Sequence, residues 1–203
     1  MKAPFDFVIK PKGNRYNNTT KVGTSELILN TEVYNHQFVN RQAIVKSVPT
    51  AFESEIKPKD EIVVHHNVFR RWHDVKGKER NSRSFFDENT YLVKEDQIFL
   101  YKRYWRWKAV KGYCFVQPIK DTNYLTEDIE KPCVGKIVYT DGSFEEGDLV
   151  GFTPFSTYEF IIDGKRLYRV MTQFITIKYE YQGNEEEYNP SWAESSGGVD
   201  QGC

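Results

Sequence analysis

The stretch Phe7-Val8-Ile9-Lys10-Pro11 has a counterpart 107 residues later in Cys114-Phe115-Val116-Gln117-Pro118. Three further blocks recur in the same order, at offsets of 93, 88 and 76 residues. These blocks are Ala43–Val45 with Lys136–Val138, Pro58–Ile62 with Glu146–Val150, and Gln97–Lys102 with Gln173–Lys178. An offset that falls steadily is typical of two copies of one fold, the second of which has shorter loops. The sequence therefore predicts an internal duplication.

The recurring blocks are short apolar runs rich in Val, Ile and aromatic residues, which favour β-strands. Pro11 and Pro49 follow two of these runs and are expected to end the strands. Asp141-Gly142 and Asp163-Gly164 stand between apolar runs, a pattern that predicts hairpin turns. Tyr104-Trp105-Arg106-Trp107 alternates aromatic and basic residues as a strand does, and we expect its aromatic side chains to pack while Arg106 stays in solvent. No long segment has the apolar period of a helix, so we expect an all-β fold with few or no helices.

The falling offsets give the first copy 14, 5 and 12 more residues than the second in three successive connections. Two long loops of the first copy result, at residues 12–40 and 68–89. The first copy is expected to span residues 1–103 and the second residues 104–181. A tail from 182 to 203 lacks a strand pattern and is expected to be extended or disordered.

The composition is that of an ordinary soluble globular protein. The chain has 203 residues, of which 39% are hydrophobic and 28% charged, and its formal net charge of −1 gives no general affinity for nucleic acid or anionic membranes. No apolar run approaches the roughly 18 residues of a membrane span, and the first residues lack a signal peptide's apolar core. The widely spaced cysteines form neither a disulfide framework nor a metal motif, which favours a reducing compartment. They are Cys114, Cys133 and Cys203.

The loop 12–40 is rich in Asn, Thr and Ser and contains one short apolar triplet, Leu27-Ile28-Leu29, with Gly23 shortly before it. Two interpretations of the triplet are open. It is either a short buried strand or a docking element on a mobile loop, which a partner would cover.

With these features in order, each copy resembles the GroES-type co-chaperonin (chaperonin-10) fold, a small β-barrel. The resemblance rests on a first strand of Phe-Val-Ile-Lys type, then a loose loop with a Gly and an aliphatic triplet, then an Ile-Val strand. A turn ending in Asp leads from there into Ile62-Val63-Val64, and Gln97-Ile98-Phe99-Leu100 follows. The pattern covers most of residues 3–181 and is most similar to the divergent GroES-like proteins of tailed, especially marine, phages. It implies two tandem small GroES-like β-barrels.

The resemblance also implies a function. In this family the aliphatic triplet of the mobile loop docks on a GroEL-type chaperonin ring, which assigns partner binding to Gly23, Leu27, Ile28 and Leu29. The expected protein is a phage-type co-chaperonin that assists folding in the bacterial host cytoplasm, assembles with itself into a ring, and catalyses no reaction. The alternative is a virion structural protein, a capsid decoration or connector component, that uses the same barrels to contact other virion proteins.

Three features depart from the family pattern. The second copy has no aliphatic triplet between Asp121 and Glu130. The connection from Val48 to Asp60 is too short for the hairpin that forms the roof of the usual dome. The insert 68–89 has no equivalent in the bacterial proteins.

That insert is basic and aromatic. Subunit contact or simple solvation is the favoured interpretation, because the chain as a whole is not basic, and binding of nucleic acid is the weaker alternative. The candidate contact residues are Arg70, Arg71, Trp72, Arg80 and Arg83.

No motif for catalysis or for a cofactor is present. His65, His66 and His73 suggest a metal site at first, but a strand would direct His65 and His66 to opposite faces, and no Cys or carboxylate pattern completes a tetrahedral set. The sequence also lacks a nucleophile elbow, a phosphate loop and a zinc-protease signature. We therefore expect a binding protein that is not an enzyme and uses neither a metal nor a cofactor.

Overall fold

The computed structural model describes residues 1–16, 19–22, 25–28, 38–121, 130–180, 183 and 185–196. For residues 19–22, 25–28 and 194–196 it describes the backbone only. The chain divides into two compact units, Met1–Trp107 and Lys108–Cys203. Strands dominate both units, and one six-residue α-helix is described. The all-β class predicted from the sequence is therefore confirmed.

Unit 1 is built on a seven-stranded sheet. Its strands alternate with turns, and the buried side chains of Phe7, Ile9, Val45, Ile62 and Leu100 belong to its core. The strands are β1 (Phe7–Pro11), β2 (Thr19–Val22), β3 (Ser25–Ile28), β4 (Gln42–Ser47), β5 (Glu61–Val64), β6 (Arg71–His73), β7 (Glu79–Asn81), β8 (Phe85–Asp87), β9 (Thr90–Val93), β10 (Ile98–Arg103) and β11 (Arg106–Ala109). The sheet order is β11-β10-β5-β4-β1-β9-β8, while β2 with β3 and β6 with β7 form separate two-stranded sheets.

Unit 2 is built on a six-stranded sheet with a core of Cys114, Val116, Ile137, Val150 and Val170. Its strands are β12 (Tyr113–Lys120), β13 (Glu130–Tyr139), β14 (Leu149–Phe152), β15 (Thr157–Ile162), β16 (Lys165–Met171) and β17 (Ile175–Tyr179), and helix α1 (Ser191–Ser196) follows. The sheet order is β15-β16-β12-β13-β14-β17.

The two sheets have the same strand order. Read from the other edge, the sheet of unit 1 runs β8-β9-β1-β4-β5-β10, and each strand has its counterpart at the same place in unit 2. The register shows the same irregularity, because a bulge precedes the pair Ile9–Val45 in unit 1 and the pair Val116–Ile137 in unit 2. This agreement supports the duplication. It also sets the offset of the second block at 92 residues, so the value of 93 read from the sequence is wrong by one.

The offset of the last block, read from the sequence, is also wrong by one residue. Val64 pairs with Ile98 in unit 1, and Phe152 pairs with Ile175 in unit 2, each beside a bulge. The offset between the last strands is therefore 77 residues and not 76. An extra bulge residue shifts register without leaving a mark in a short apolar run.

A turn with an aspartate is repeated as well. The carboxylate of Asp60 accepts the backbone N–H three residues earlier at 2.8 Å and pairs with Arg103 at 2.6 Å. Asp148 accepts the equivalent N–H at 3.1 Å and pairs with Lys178 at 2.9 Å. Each aspartate thus ties a tight turn to the last strand of the duplicated set.

Neither sheet is observed as a closed barrel. Among the described residues, no backbone pairing joins β11 to β8 in unit 1 or β15 to β17 in unit 2.

Both predicted hairpin turns are found. Asp163-Gly164 forms the two-residue turn between β15 and β16, with φ of 50° and 75°. Asp141-Gly142 lies in the longer connection of the antiparallel pair β13 and β14, where Gly142 has a φ of 100°. Tyr104-Trp105, by contrast, differs from the expectation that its side chains pack. Tyr104-Trp105 forms the two-residue turn between β10 and β11, with φ of 50° and 68°, and these side chains are 88% and 91% exposed. Trp107 alone of this aromatic group is buried.

The tail is part of unit 2. Lys120 N–H donates to the carbonyl of Glu186 at 2.8 Å, and Tyr188 N–H donates to the carbonyl of Pro118 at 2.8 Å. Helix α1 follows and buries Ala193 completely. Residues 185–190 are extended, as expected, and lie along β12. The helix Ser191–Ser196 was not expected from the sequence.

Candidate docking site

The predicted docking residues fall in and beside the hairpin β2–β3. The strands pair antiparallel, with Thr20 opposite Leu27 and Thr19 opposite Ile28. Gly23 and Leu29 lie outside the described residues. The backbone of Leu27 and Ile28 is therefore in a strand, but in a strand that does not belong to the seven-stranded sheet.

The two ends of the segment 12–40 are joined by Asn40, which is 2% exposed. Its side-chain N–H groups donate to the carbonyls of Lys12 at 2.8 Å and Asn14 at 2.7 Å. Its backbone N–H donates to the carbonyl of Arg15 at 3.1 Å, and its Oδ1 accepts the N–H of Gln42 at 2.9 Å. One buried amide thus satisfies backbone groups on both sides of the base.

Tyr16 connects this base to the insert 68–89. The residue is 8% exposed and forms a β-bridge with Val39 on the returning side of the segment. Its hydroxyl oxygen accepts the backbone N–H of Arg71 at 2.8 Å, and the Arg71 guanidinium lies 4.9 Å from the centre of its ring. The backbone of Tyr16 is therefore paired across the base, and its side chain is held by the insert.

Arg15 makes a second connection to the insert. Its Nε donates to the carbonyl of Phe69 at 2.7 Å, and its Nη2 donates to that of Arg70 at 3.4 Å. The guanidinium also lies over the rings of Phe85 at 5.2 Å and Tyr91 at 5.6 Å. Burial lowers the pKa of Arg15, and the neighbouring Tyr91 opposes that shift. The Arg15 guanidinium thus makes these contacts inside unit 1.

Sequence reasoning missed Arg15, Tyr16 and Asn40. A signal was present for the first two, since Arg15-Tyr16 is a cation and an aromatic ring within a run of small polar residues. Asn40 left no such signal, because its role depends on residues that are 26 and 28 positions away.

The insert carries its own hairpin, β6–β7. Asp74 holds the turn, because its Oδ1 accepts the backbone N–H groups of Lys76 at 2.9 Å and Lys78 at 3.0 Å. Its Oδ2 accepts Nε of Arg80 at 2.9 Å. These hydrogen bonds, that of the Lys78 N–H first, lower the pKa of Asp74. Ser82 closes the neck of the insert by donating to the buried carbonyl of Val68 at 2.5 Å.

The five candidate contact residues therefore have different surroundings. Two of the cations, Arg71 and Arg80, form ion pairs inside the hairpin, with Glu79 at 3.1 Å and Asp74 at 2.9 Å. Trp72 is 37% exposed, and Arg83 is exposed. Arg70 is half-buried, and within the described residues its Nε has no hydrogen-bond partner. The insert is thus a folded element in which some of the cationic side chains form ion pairs with carboxylates of the same hairpin.

Unit 2 has a different arrangement at the equivalent base. Tyr168 takes the place of Tyr91, since the two tyrosines pair with the equivalent residues of β12 and β1. Its hydroxyl donates to Glu130 at 2.6 Å, and Arg166 pairs with the same carboxylate at 2.5 Å. Burial, followed by the hydrogen bond to Glu130, raises the pKa of Tyr168. A cavity of about 200 Å³ opens beside this group and is also lined by Cys133.

The histidines form no metal site in the described part of the chain. The strand β5 ends at Val64, two residues earlier than predicted, so His65 and His66 are not on opposite faces of a strand. Their rings stack at 4.3 Å, and Nδ1 of His65 accepts the N–H of Asn67 at 3.1 Å. The same residues contain no group of three or more His, Cys, Asp or Glu side chains that could hold a metal ion.

Comparisons with known proteins add no assignment. No protein-family model matches the sequence, and a search of curated proteins finds no significant match. In the ranges that the structure describes, no helix has the length and apolar character needed to cross a membrane.

Proposed function

We propose that the chain is a tandem co-chaperonin, in which two GroES-like barrels share one polypeptide and dock on a GroEL-type chaperonin ring through Leu27-Ile28-Leu29. The chain would assist folding through this binding alone, without catalysis of its own. The observation that carries the proposal is the arrangement of the segment 12–40. It leaves the sheet of unit 1 between the neighbouring strands β1 and β4 and returns over a hydrogen-bonded base, while Leu27 and Ile28 belong to a separate hairpin.

The duplicated strand order supports the fold half of the proposal. Six strands of each unit follow one order, with an equivalent bulge in the pairs β1–β4 and β12–β13, as expected if both units descend from one small domain. Only the first unit combines that domain with a long connection after its first strand. We therefore assign docking to unit 1.

The energetics require several docking segments to act together. Burying three aliphatic side chains contributes roughly 1.5–3 kcal/mol each. Ordering the backbone that carries them costs about 1–2 kcal/mol per residue. A single segment therefore binds weakly, and useful affinity needs several chains held in one assembly that faces the chaperonin ring.

Leu27→Asp tests the docking role directly. We expect the wild-type chain to co-purify with a bacterial GroEL-type chaperonin in a nucleotide-dependent manner. The variant should lose this binding, because a carboxylate replaces an aliphatic group that docking would bury. Val75→Asp is the matched control, since it makes a similar change on the hairpin β6–β7 of the insert, where Val75 is fully exposed. Equal retention of the Leu27→Asp variant and the wild-type chain would overturn the proposal.

A virion protein built on the same units is the outcome that would replace this function. Mass spectrometry of purified phage particles would then find the chain in stoichiometric amounts, and Leu27→Asp would leave particle assembly unchanged.

A further inference from the structure

We infer that the insert 68–89 acts as a brace for the segment 12–40, which means that it fixes the base at which this segment begins and ends. Arg15 and Tyr16 are the positioning residues that connect the base to the brace. The consequence for docking rests on the proposed function. The brace itself rests only on contacts within unit 1.

The two longest additions of unit 1 meet at their bases. Relative to unit 2, unit 1 is longer after its first strand and again after β5. Tyr16 and Arg15 come from the first addition, and their partners Arg71 and Phe69 come from the second. These contacts span 54 and 55 residues of chain. Two independent loops would not be expected to share three hydrogen bonds and two contacts between a guanidinium and an aromatic ring.

The insert is fixed in the core of unit 1 at the point where Arg15 contacts it. Val68 and Phe69 are completely buried, and Ser82 ties the neck of the insert to the Val68 carbonyl. The carbonyl of Phe69 that receives Arg15 is therefore fixed by the core of unit 1 and not by a solvated loop. Arg15 in turn lies over Tyr91, which is itself fully buried.

Unit 2, in which the connection after the first strand is short, holds its base by different contacts. Glu130, which begins the strand after that connection, is held by the hydroxyl of Tyr168 and by Arg166. In unit 1 a cation of the departing chain lies on the ring of Tyr91, and no insert of comparable length exists in unit 2. Both units thus hold the base at the same tyrosine position, and the unit with the long segment adds a brace.

Fixing the base should matter for binding, because a segment that starts from a disordered base must order more backbone when it docks. Freeing about one residue at the base corresponds to about tenfold weaker binding per chain. The brace is therefore expected to raise affinity without touching the partner.

The test combines Arg15→Gln and Tyr16→Phe with hydrogen exchange of the full chain. We expect the amide of Arg71, which donates to the Tyr16 hydroxyl, and that of Asn40, which donates to the Arg15 carbonyl, to exchange at least about tenfold faster. Amides of β4 should keep their protection, and the melting temperature should change little. Tyr16→Phe removes only the hydroxyl, so it keeps the test valid if Arg15→Gln does not fold.

Arg80→Gln is the matched control, because Arg80 belongs to the same insert but pairs with Asp74 and not with the base. Unchanged exchange at Arg71 and Asn40 in both test variants would overturn the brace, whether or not a chaperonin binds. Faster exchange with no chaperonin binding by any form of the chain, wild type included, would support the brace and overturn the proposed function. Faster exchange with undiminished chaperonin affinity would overturn the positioning role.

Discussion

At the scale of single residues, Tyr91 and Tyr168 occupy equivalent positions, but their hydroxyl groups have different surroundings. Tyr91 is completely buried, and within the described chain its hydroxyl has no hydrogen-bond partner. Burial raises its pKa, so the group stays neutral. The hydroxyl of Tyr168 instead donates a hydrogen bond to the carboxylate of Glu130. A buried polar atom without a partner destabilises a fold, whereas a hydrogen bond to a charged group stabilises it.

The same substitution at the two sites should therefore have opposite consequences. We expect Tyr91→Phe to leave the free energy of unfolding unchanged or to raise it by up to about 1 kcal/mol. Tyr168→Phe should lower it by about 1–3 kcal/mol. Denaturant unfolding of the two variants checks this, each serving as the control for the other. A loss of more than about 1 kcal/mol in Tyr91→Phe would show that its hydroxyl has a partner.

At the scale of elements, two hairpins of the same turn geometry contrast in sequence. Asp163-Gly164 suits a turn with two positive φ angles, since Gly and Asp reach that region at low cost. Tyr104-Trp105 adopts similar angles with two bulky aromatic residues, for which the left-handed region costs about 1–2 kcal/mol per residue. Both side chains are almost fully exposed, so burial does not offset that cost within the described chain.

Replacing Tyr104-Trp105 by Asn-Gly should therefore stabilise unit 1, by about 1–3 kcal/mol. Thermal or denaturant unfolding measures the change. The reverse exchange, Tyr-Trp in place of Asp163-Gly164, is the control and should destabilise unit 2 by a similar amount. If the Asn-Gly variant were the less stable one, the strain ascribed to this turn would be refuted.

The sequence predicted most of the strands but few of the contacts at the site. Short apolar runs between turn residues are sufficient to locate β1, β4 and β10, because burial on a sheet sets their pattern. They do not reveal bulges, which is why two offsets were wrong by one residue. The base of the segment 12–40 depends on hydrogen bonds between residues far apart in the chain, and no local pattern records such pairs.

At the scale of the whole molecule, one proposed docking segment accompanies two structural units. If the chain acts as proposed, a ring must contain several copies to reach useful affinity, and we expect a discrete oligomer at working concentrations. Native mass spectrometry or light scattering measures its mass. Leu27→Asp should form the same oligomer, because in the proposed function the triplet serves docking and not assembly. A wild-type chain that stays monomeric would remove the basis for multivalent docking.

The attachment of residues 186–188 to β12 has a consequence for synthesis of the chain. Unit 1 has every strand of its sheet once residue 109 is available, so it can fold while unit 2 is still being made. Lys120, by contrast, can contact its partner Glu186 only after 66 further residues have been synthesised. At about 5–20 residues per second this wait lasts roughly 3–13 seconds. During that interval the far end of β12 has unpaired backbone groups on one side, and that end is where a nascent chain would be most open to a chaperone or to another chain.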